Sequence, residues 1–408
     1  MWLTVVEVQH RKAATAERER FIGYARISRF ELHRVNLMNI AVPKETLPGE
    51  MRVALIPDAI SPLIKTGLAV LVESGAGQGA YFQDADYEKA GAKIVPEATR
   101  LLSEANLVVK VQRPTDREIA MIREGAVLIS FLYASGNPEL VKRLVERKIT
   151  ALAMELMPRI SRAQSMDALS SQANIAGYKA VLIAASLLHK FFPMLMTAAG
   201  MVTAAKVLVL GAGVAGLQAI ATARRLGAQV WGYDVRPAVK EQVESLGAKF
   251  LQFQLSGKDL EDKGGYAREL SEEDRIRQQQ WLADQTKEFD VVITTALVPG
   301  RPAPRLITKE TVARMRPGSI IVDLAAESGG NCELTKADEV VVAHGVTIHG
   351  PTNLPATMSV HASQLYARNI SELVKSITKE GKLNLNFDDA VLTAACVTHE
   401  GQIRIGKS

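Results

Sequence analysis

Lys206-Val-Leu-Val-Leu-Gly211-Ala-Gly213-Val-Ala-Gly216-Leu-Gln-Ala-Ile220 is the stretch that decides the fold. A short apolar run ends in three glycines, and a helix-period segment follows. Gly211 permits the tight turn, Gly213 lets the backbone approach a pyrophosphate, and Gly216 lets the helix pack close to the strand. The helix start, at Val214 and Ala215, offers unpaired N–H groups and the positive end of a dipole to phosphates. Gly227 stops that helix, and a second strand (residues 229–233) leads into Asp234. Asp234 lies 18 residues past Gly216, where the ribose-binding acid of a dinucleotide fold belongs. A carboxylate there accepts hydrogen bonds from a 2′-hydroxyl and repels a 2′-phosphate, so NAD is favoured over NADP. Arg236 could pair with a phosphate. Because the acid ends the strand, we read it instead as a solvent-exposed charge or a lid to the adenine.

Working outward, strands at 207–210, 229–233, 291–294, 319–323 and 346–349 continue the βαβ rhythm of a nucleotide domain. An earlier series at 39–42, 69–73, 107–111, 126–132 and 149–154 alternates with helical segments such as 58–66 and 138–147 and carries no glycine fingerprint. Strands alternating with helices imply parallel sheets covered on both faces. The expected class is α/β, with two Rossmann-like doubly wound domains of mostly parallel sheet. A long helical pattern at 356–378 returns the chain to the first domain, and 387–405 completes it. The nucleotide domain (168–356) is thus inserted in a discontinuous first domain (38–167 plus 357–408). The polar stretch 252–280 is longer than compact α/β domains need. Its Gly264-Gly265-Tyr266 favours a loop tip, and Ser271 onward a helix.

Composition excludes several classes. With 49 basic and 44 acidic residues the net charge is only +5, too weak and dispersed for nucleic acid. Two cysteines, Cys332 and Cys396, exclude a disulfide framework or Cys-rich metal site and point to a reducing, cytoplasmic setting. The apolar run 180–205 is broken by His189, Lys190 and Pro193, so it reads as a buried helix ending near Pro193 and not as a span. His189, His344, His349 and His361 match no metal-ligand spacing, so no metal is expected. Asp388-Asp389 reads as a solvated turn. Residues 1–37 hold seven Lys/Arg and four Glu and read as a flexible extension or a start assigned too early; the glutamates argue against a transit peptide.

The segment Met157-Pro-Arg159-Ile-Ser-Arg162-Ala-Gln164-Ser-Met-Asp167-Ala-Leu-Ser170 runs from a buried strand into a helix (169–192). Ser165 suits an N-cap and Asp167 a first helical turn. Alternatively Arg159, Gln164 and Asp167 face a nicotinamide, since an amide and a guanidinium hold a carboxamide or ribose. Spacing alone leaves both readings open.

Taken together, Ala41-Val-Pro-Lys-Glu45, Glu50-Met-Arg52-Val, Arg159 to Asp167, Gly211 to Gly216 and Gly329-Gly-Asn331 resemble the NAD(H)-binding domain I of proton-translocating NAD(P) transhydrogenases. The likeness runs from Met38 to about Arg404 and suggests the separate soluble α1-type subunit. It implies a homodimer that binds NADH and docks on an NADP(H)-binding β subunit. Hydride would pass directly between the two nicotinamides, in the Si–Re specific manner, coupled to proton movement through membrane subunits including α2. The chain would be peripheral to the inner membrane through those partners only. The resemblance gives Arg159, Gln164 and Asp167 the nicotinamide-ordering role and places Ser170 near the carboxamide. It puts Gly265 and Tyr266 on a loop closing over NADH. Val235, Ala296 and Leu297 complete the expected nucleotide contacts.

Alanine dehydrogenase is a relative of both domains. In its pattern a lysine and a histidine handle protons; here Gln112 and Tyr133 stand at those places. Without them oxidative deamination lacks its acid and base. Arg52, which holds the substrate carboxylate in that relative, reads here as a remnant or a structural ion pair. A third class, a sensor that binds NAD without hydride transfer, predicts NADH uptake but no exchange with an NADP(H) domain.

Overall fold

The computed structural model describes residues 38–253, 268, 270–297 and 301–405. The segments 1–37 and 254–267, which include the expected extension and Gly265 and Tyr266, lie outside the described residues.

Two large sheets organise the described residues. The first has eight strands in the order Gln402–Ile403, Cys396–His399, Thr150–Ala153, Val127–Ser130, Leu107–Val109, Met38–Val42, Leu68–Glu73, Lys93–Val95. The six strands drawn from residues 38–153 are parallel, and the two C-terminal strands join antiparallel. Chain from beyond residue 390 therefore completes a sheet begun at residue 38. The central strands are almost wholly buried because helices cover both faces.

The second sheet runs Lys249–Leu251, Gln229–Tyr233, Lys206–Leu210, Val291–Thr294, Ile320–Asp323, Val346–His349, Val340–Ala343. Only the last strand is antiparallel. The order reverses beside Lys206–Leu210, which pairs Gln229–Tyr233 on one side and Val291–Thr294 on the other. Ligands of open α/β sheets settle in the crevice beyond the strand ends at such a reversal.

Helices Ala168–Leu187 and Ser359–Ser376 pack on each other and link the two halves. The first ends at Leu187, not near Pro193 as the apolar run suggests. A hairpin follows instead, with strands Leu195–Thr197 and Gly200–Val202 joined to neither large sheet. The expected helix from Ser271 forms as Glu272–Thr286, capped by the Ser271 side chain accepting the Asp274 N–H. Among the described residues no helix is long and apolar enough to cross a membrane.

Candidate functional site

A cleft of about 1520 Å³ opens between the two sheets. One wall is the turn from Lys206–Leu210 into helix Val214–Arg225. Gly211 sits at φ +99°, a backbone angle that any side chain would strain. A Cβ on Gly216 would lie 1.8 Å from the Gly211 carbonyl oxygen, so helix and strand meet here only because that position is glycine. A Cβ on Gly213 would meet nothing within 4 Å, which leaves room for a ligand at the helix N-terminus. Gly211, Gly213, Val214 and Ala215 line the cleft, while Gly216 shapes the turn from behind. That combination of tight turn, open approach and unpaired helical N–H groups fits a pyrophosphate.

Asp234 lines the cleft beside Val235, at the end of its strand. Its carboxylate accepts the Ala212 N–H at 2.8 Å, which ties it to the glycine turn. Arg236 does not lie open to solvent: its guanidinium folds back on Asp234, with Nε–Oδ1 2.9 Å and Nη2–Oδ2 2.8 Å. The backbone N–H of Arg236 also donates to Oδ1. Charge pairing two residues apart thus outweighs the solvation expected at this position.

The opposite wall comes from the first sheet. Arg159, Gln164, Asp167 and Ser170 all line the cleft, so the structure brings the four expected residues together. The local reason is a short 3₁₀ turn, Ser161–Met166, that feeds helix Ala168–Leu187. Asp167, not Ser165, is the N-cap. Its Oδ1 accepts the Ser170 N–H at 2.8 Å, and its Oδ2 accepts the Ser170 hydroxyl at 2.6 Å. A charged acceptor at a helix N-terminus outcompetes a serine two residues earlier. Capping and cleft-lining are therefore both true of Asp167. Arg162 is not among the cleft residues; it pairs with Asp389, so the Asp388-Asp389 turn is not merely solvated. Asp389 also caps helix Ala390–Ala395.

Ala296 and Leu297 line the cleft on the far side of the glycine strand from Asp234. Two supports of this floor escaped the sequence reading. Thr295 Oγ1 donates to the Gly211 carbonyl at 3.0 Å, and Asn331 grips the Ala296 peptide. Gly177 also escaped it. Its missing side chain lets two helices touch: a Cβ there would sit 2.1 Å from the Ala215 carbonyl oxygen. An unexplained glycine in a long helix was the available signal.

Behind the cleft lies a buried ionic cluster. Arg52 holds Glu50 in a two-pronged pair, Nε–Oε1 2.7 Å and Nη2–Oε2 2.6 Å. Its other N–H groups reach Gln172 and Asn353, and Gln112 donates to the same Glu50 carboxylate at 2.9 Å. Loss of solvent would raise the Glu50 pKa, but the Arg52 hydrogen bonds overcome it and hold the carboxyl down at about 2. Lys110 is likewise committed, at 2.7 Å from Glu118 and 3.4 Å from Glu45. Tyr133 lines the cleft, but desolvation and then the Glu155 charge push its hydroxyl above its ordinary 10. Among the described residues no three His, Cys, Asp or Glu side chains come together as metal ligands.

The sequence matches two domain families end to end: alanine dehydrogenase/PNT N-terminal domain over residues 41–176 and alanine dehydrogenase/PNT C-terminal domain over 180–406. It is 52% identical over 375 residues to the first part of NAD(P) transhydrogenase subunit alpha of Rhodospirillum rubrum, covering 90% of this chain and 97% of that protein. A transhydrogenase crystal structure from Sinorhizobium meliloti superimposes with a TM-score of 0.81 at 46% identity, over 90% of this chain and 99% of that one. Alanine dehydrogenase 2 of Staphylococcus aureus is 31% identical, over 79% of this chain and 82% of that protein. The chain belongs to the alanine dehydrogenase/PNT family, among the NAD(P) transhydrogenase alpha subunits.

Proposed function

We propose that this chain holds NADH in the cleft and passes its hydride directly to NADP⁺ held on a partner subunit. One observation carries the reading: the described lining of the cleft contains neither histidine nor lysine. Direct transfer moves a hydride from C4 of one nicotinamide to C4 of the other, and no hydroxyl or amine gains or loses a proton. Such a step asks the protein for positioning alone. Gly211 to Gly216 would hold the pyrophosphate, and Asp234 the adenosine ribose once Arg236 yields its place. Arg159, Gln164, Asp167 and Ser170 would orient the nicotinamide from the opposite wall.

The same observation weighs against amino-acid oxidation. That reaction needs a proton carrier near neutrality and a guanidinium to take the substrate carboxylate. Tyr133 is pushed away from neutrality. The cleft carboxylate Glu155, its pKa raised by burial, is held by the Leu132 and Tyr133 N–H groups. Arg52 is already spent on Glu50, Gln172 and Asn353. Arg52 is accordingly read as a structural ion pair.

The remaining elements of the reading follow from the transhydrogenase likeness. The NADP(H) site lies on a β subunit, proton movement runs through membrane partners including an α2 subunit, and this chain is cytoplasmic and bound to the membrane only through them. The division into 38–167 plus 357–408 and an inserted 168–356 is proposed on the sheet memberships. A homodimer is supported by the hairpin at residues 195–202, where Met196 is 74% and Met201 59% exposed; clustered exposed apolar side chains mark contact surfaces.

The test is mixing. The chain plus an NADP(H)-binding domain should exchange hydride between NADH and an NADP analogue, and the chain alone should show no alanine-dependent NADH formation. Robust alanine turnover, or NADH binding without any exchange, would defeat the reading.

A further inference from the structure

Asn331 has no exposed surface, and its amide is fully used. Oδ1 accepts the Ala296 N–H at 3.0 Å, and Nδ2 donates to the Ala296 carbonyl at 2.9 Å and the Pro304 carbonyl at 2.8 Å. One side chain thus clamps both ends of the stretch 296–304. Its own carbonyl takes the N–H groups of Leu306 and Ile307 at 2.9 and 3.0 Å. The clamp is anchored from below. Asp323, fully buried at the end of its strand, accepts the Cys332 N–H at 2.9 Å and the Thr294 hydroxyl at 2.8 Å. Gly329 and Gly330, at φ +94° and +82°, turn the backbone so that Asn331 faces inward.

Sheet order gives this clamp a meaning. Asp234 and Ala296 follow the two strands that flank the glycine strand on opposite sides. A dinucleotide with its pyrophosphate on the glycine turn and its adenosine at Asp234 must lay its nicotinamide half over Ala296 and Leu297. We propose that Asn331 is a positioning residue for the nicotinamide half of the cleft. Its buried amide holds Ala296 and Leu297 as a fixed wall against which the reactive ring is set. No other side chain of this size both accepts and donates twice in this geometry: aspartate lacks the donors, and leucine lacks both. The proposal rests on the NAD(H) reading of the cleft.

A purely structural asparagine would affect every ligand alike, whereas a wall for the nicotinamide affects only ligands that carry one. The experiment compares ADP with NADH by equilibrium titration of the full chain and of Asn331→Ala. Asn331→Asp, which keeps the volume and the acceptor but loses both donors, serves as the second variant should the alanine protein fail to fold. NADH affinity should fall roughly 5- to 30-fold, the worth of one to two net hydrogen bonds, while ADP affinity stays within about twofold. Parallel loss of both ligands in either folded variant, or loss of neither, would overturn the assignment. Failure of the unmodified chain to bind NADH would instead remove the nucleotide reading, and this one with it.

Discussion

Gly177→Ala is the substitution on which the positioning account is most exposed. The residue sits in helix Ala168–Leu187, whose N-terminal end carries Asp167 and Ser170 into the cleft. It touches helix Val214–Arg225, whose N-terminal end is the phosphate side of the same cleft. A methyl group at 177 would lie 2.1 Å from the Ala215 carbonyl oxygen, about 1.2 Å closer than the roughly 3.3 Å at which carbon and oxygen ordinarily meet. Alanine brings about 1 kcal/mol of better helix propensity. Overpacking against backbone costs about 1–3 kcal/mol or more, so the clash decides the sign. The interior compresses little, so the helices must part by about 1 Å to restore ordinary contact. The expected outcome is a folded protein, destabilised by a net of up to about 2 kcal/mol once the helix gain is set against the clash, with its melting temperature lowered by about 2–4 °C for each kcal/mol. A misplacement of about 1 Å between groups that set a reacting geometry costs about 100-fold in rate, so hydride exchange should fall by that order. Thermal melting, NADH titration and single-turnover exchange measure the three quantities on one preparation. A variant that exchanges within about twofold of the parent would refute the claim that this contact sets the distance between phosphate and nicotinamide walls.

Three further outcomes are expected. Asp234→Asn should narrow the preference for NADH over NADPH by about 10-fold or more, the scale of a hydrogen bond to a charged acceptor; fluorescence titration with both nucleotides reads it, and equal affinities in the unmodified chain would contradict the role of that carboxylate. Glu50→Gln strips the buried Arg52 of its counter-charge and should cost about 3–5 kcal/mol at neutral pH in denaturant unfolding. Because folding depresses the Glu50 pKa from 4.5 to about 2, its stabilisation is complete above 4.5 and is lost as pH falls toward 2, so the gap between parent and variant should close over that window; a constant gap would contradict the pairing. Arg162→Ala removes a half-exposed ion pair with Asp389 and should cost no more than about 1 kcal/mol, with NADH affinity unchanged.

The elements legible in the sequence were those whose chemistry is local. The glycine strand reads correctly because its turn, its helix start and its acid all lie within 30 residues and each needs a particular residue type. The central strands of both sheets read correctly because burial on two faces leaves continuous apolar runs. Lys93–Val95 and Lys249–Leu251 did not, since three-residue edge strands with a lysine lack any such run. The hairpin at 195–202 is not legible, because two three-residue strands that join neither large sheet leave no run long enough to read. The roles of Gly177, Thr295 and Asn331 were invisible for a different reason. Each acts on a residue 35 or more positions away, and only the fold supplies that neighbour. For Arg236 only the solvent-exposed alternative fails, because the fold gives it an acid two residues back; it lines the cleft, as a lid would.

The central claim is that the hydride crosses directly between two nicotinamides without help from solvent. NADH deuterated on the transferred face of C4, mixed on this chain with NADP⁺ on a partner NADP(H)-binding domain, tests it by mass spectrometry of the NADPH formed. Direct transfer predicts that the label appears in NADPH, with none taken up from water when the experiment is repeated in heavy water with unlabelled NADH. Loss of the label to solvent, or NADPH formation only when an added amino acid or its oxo acid is present, would contradict it.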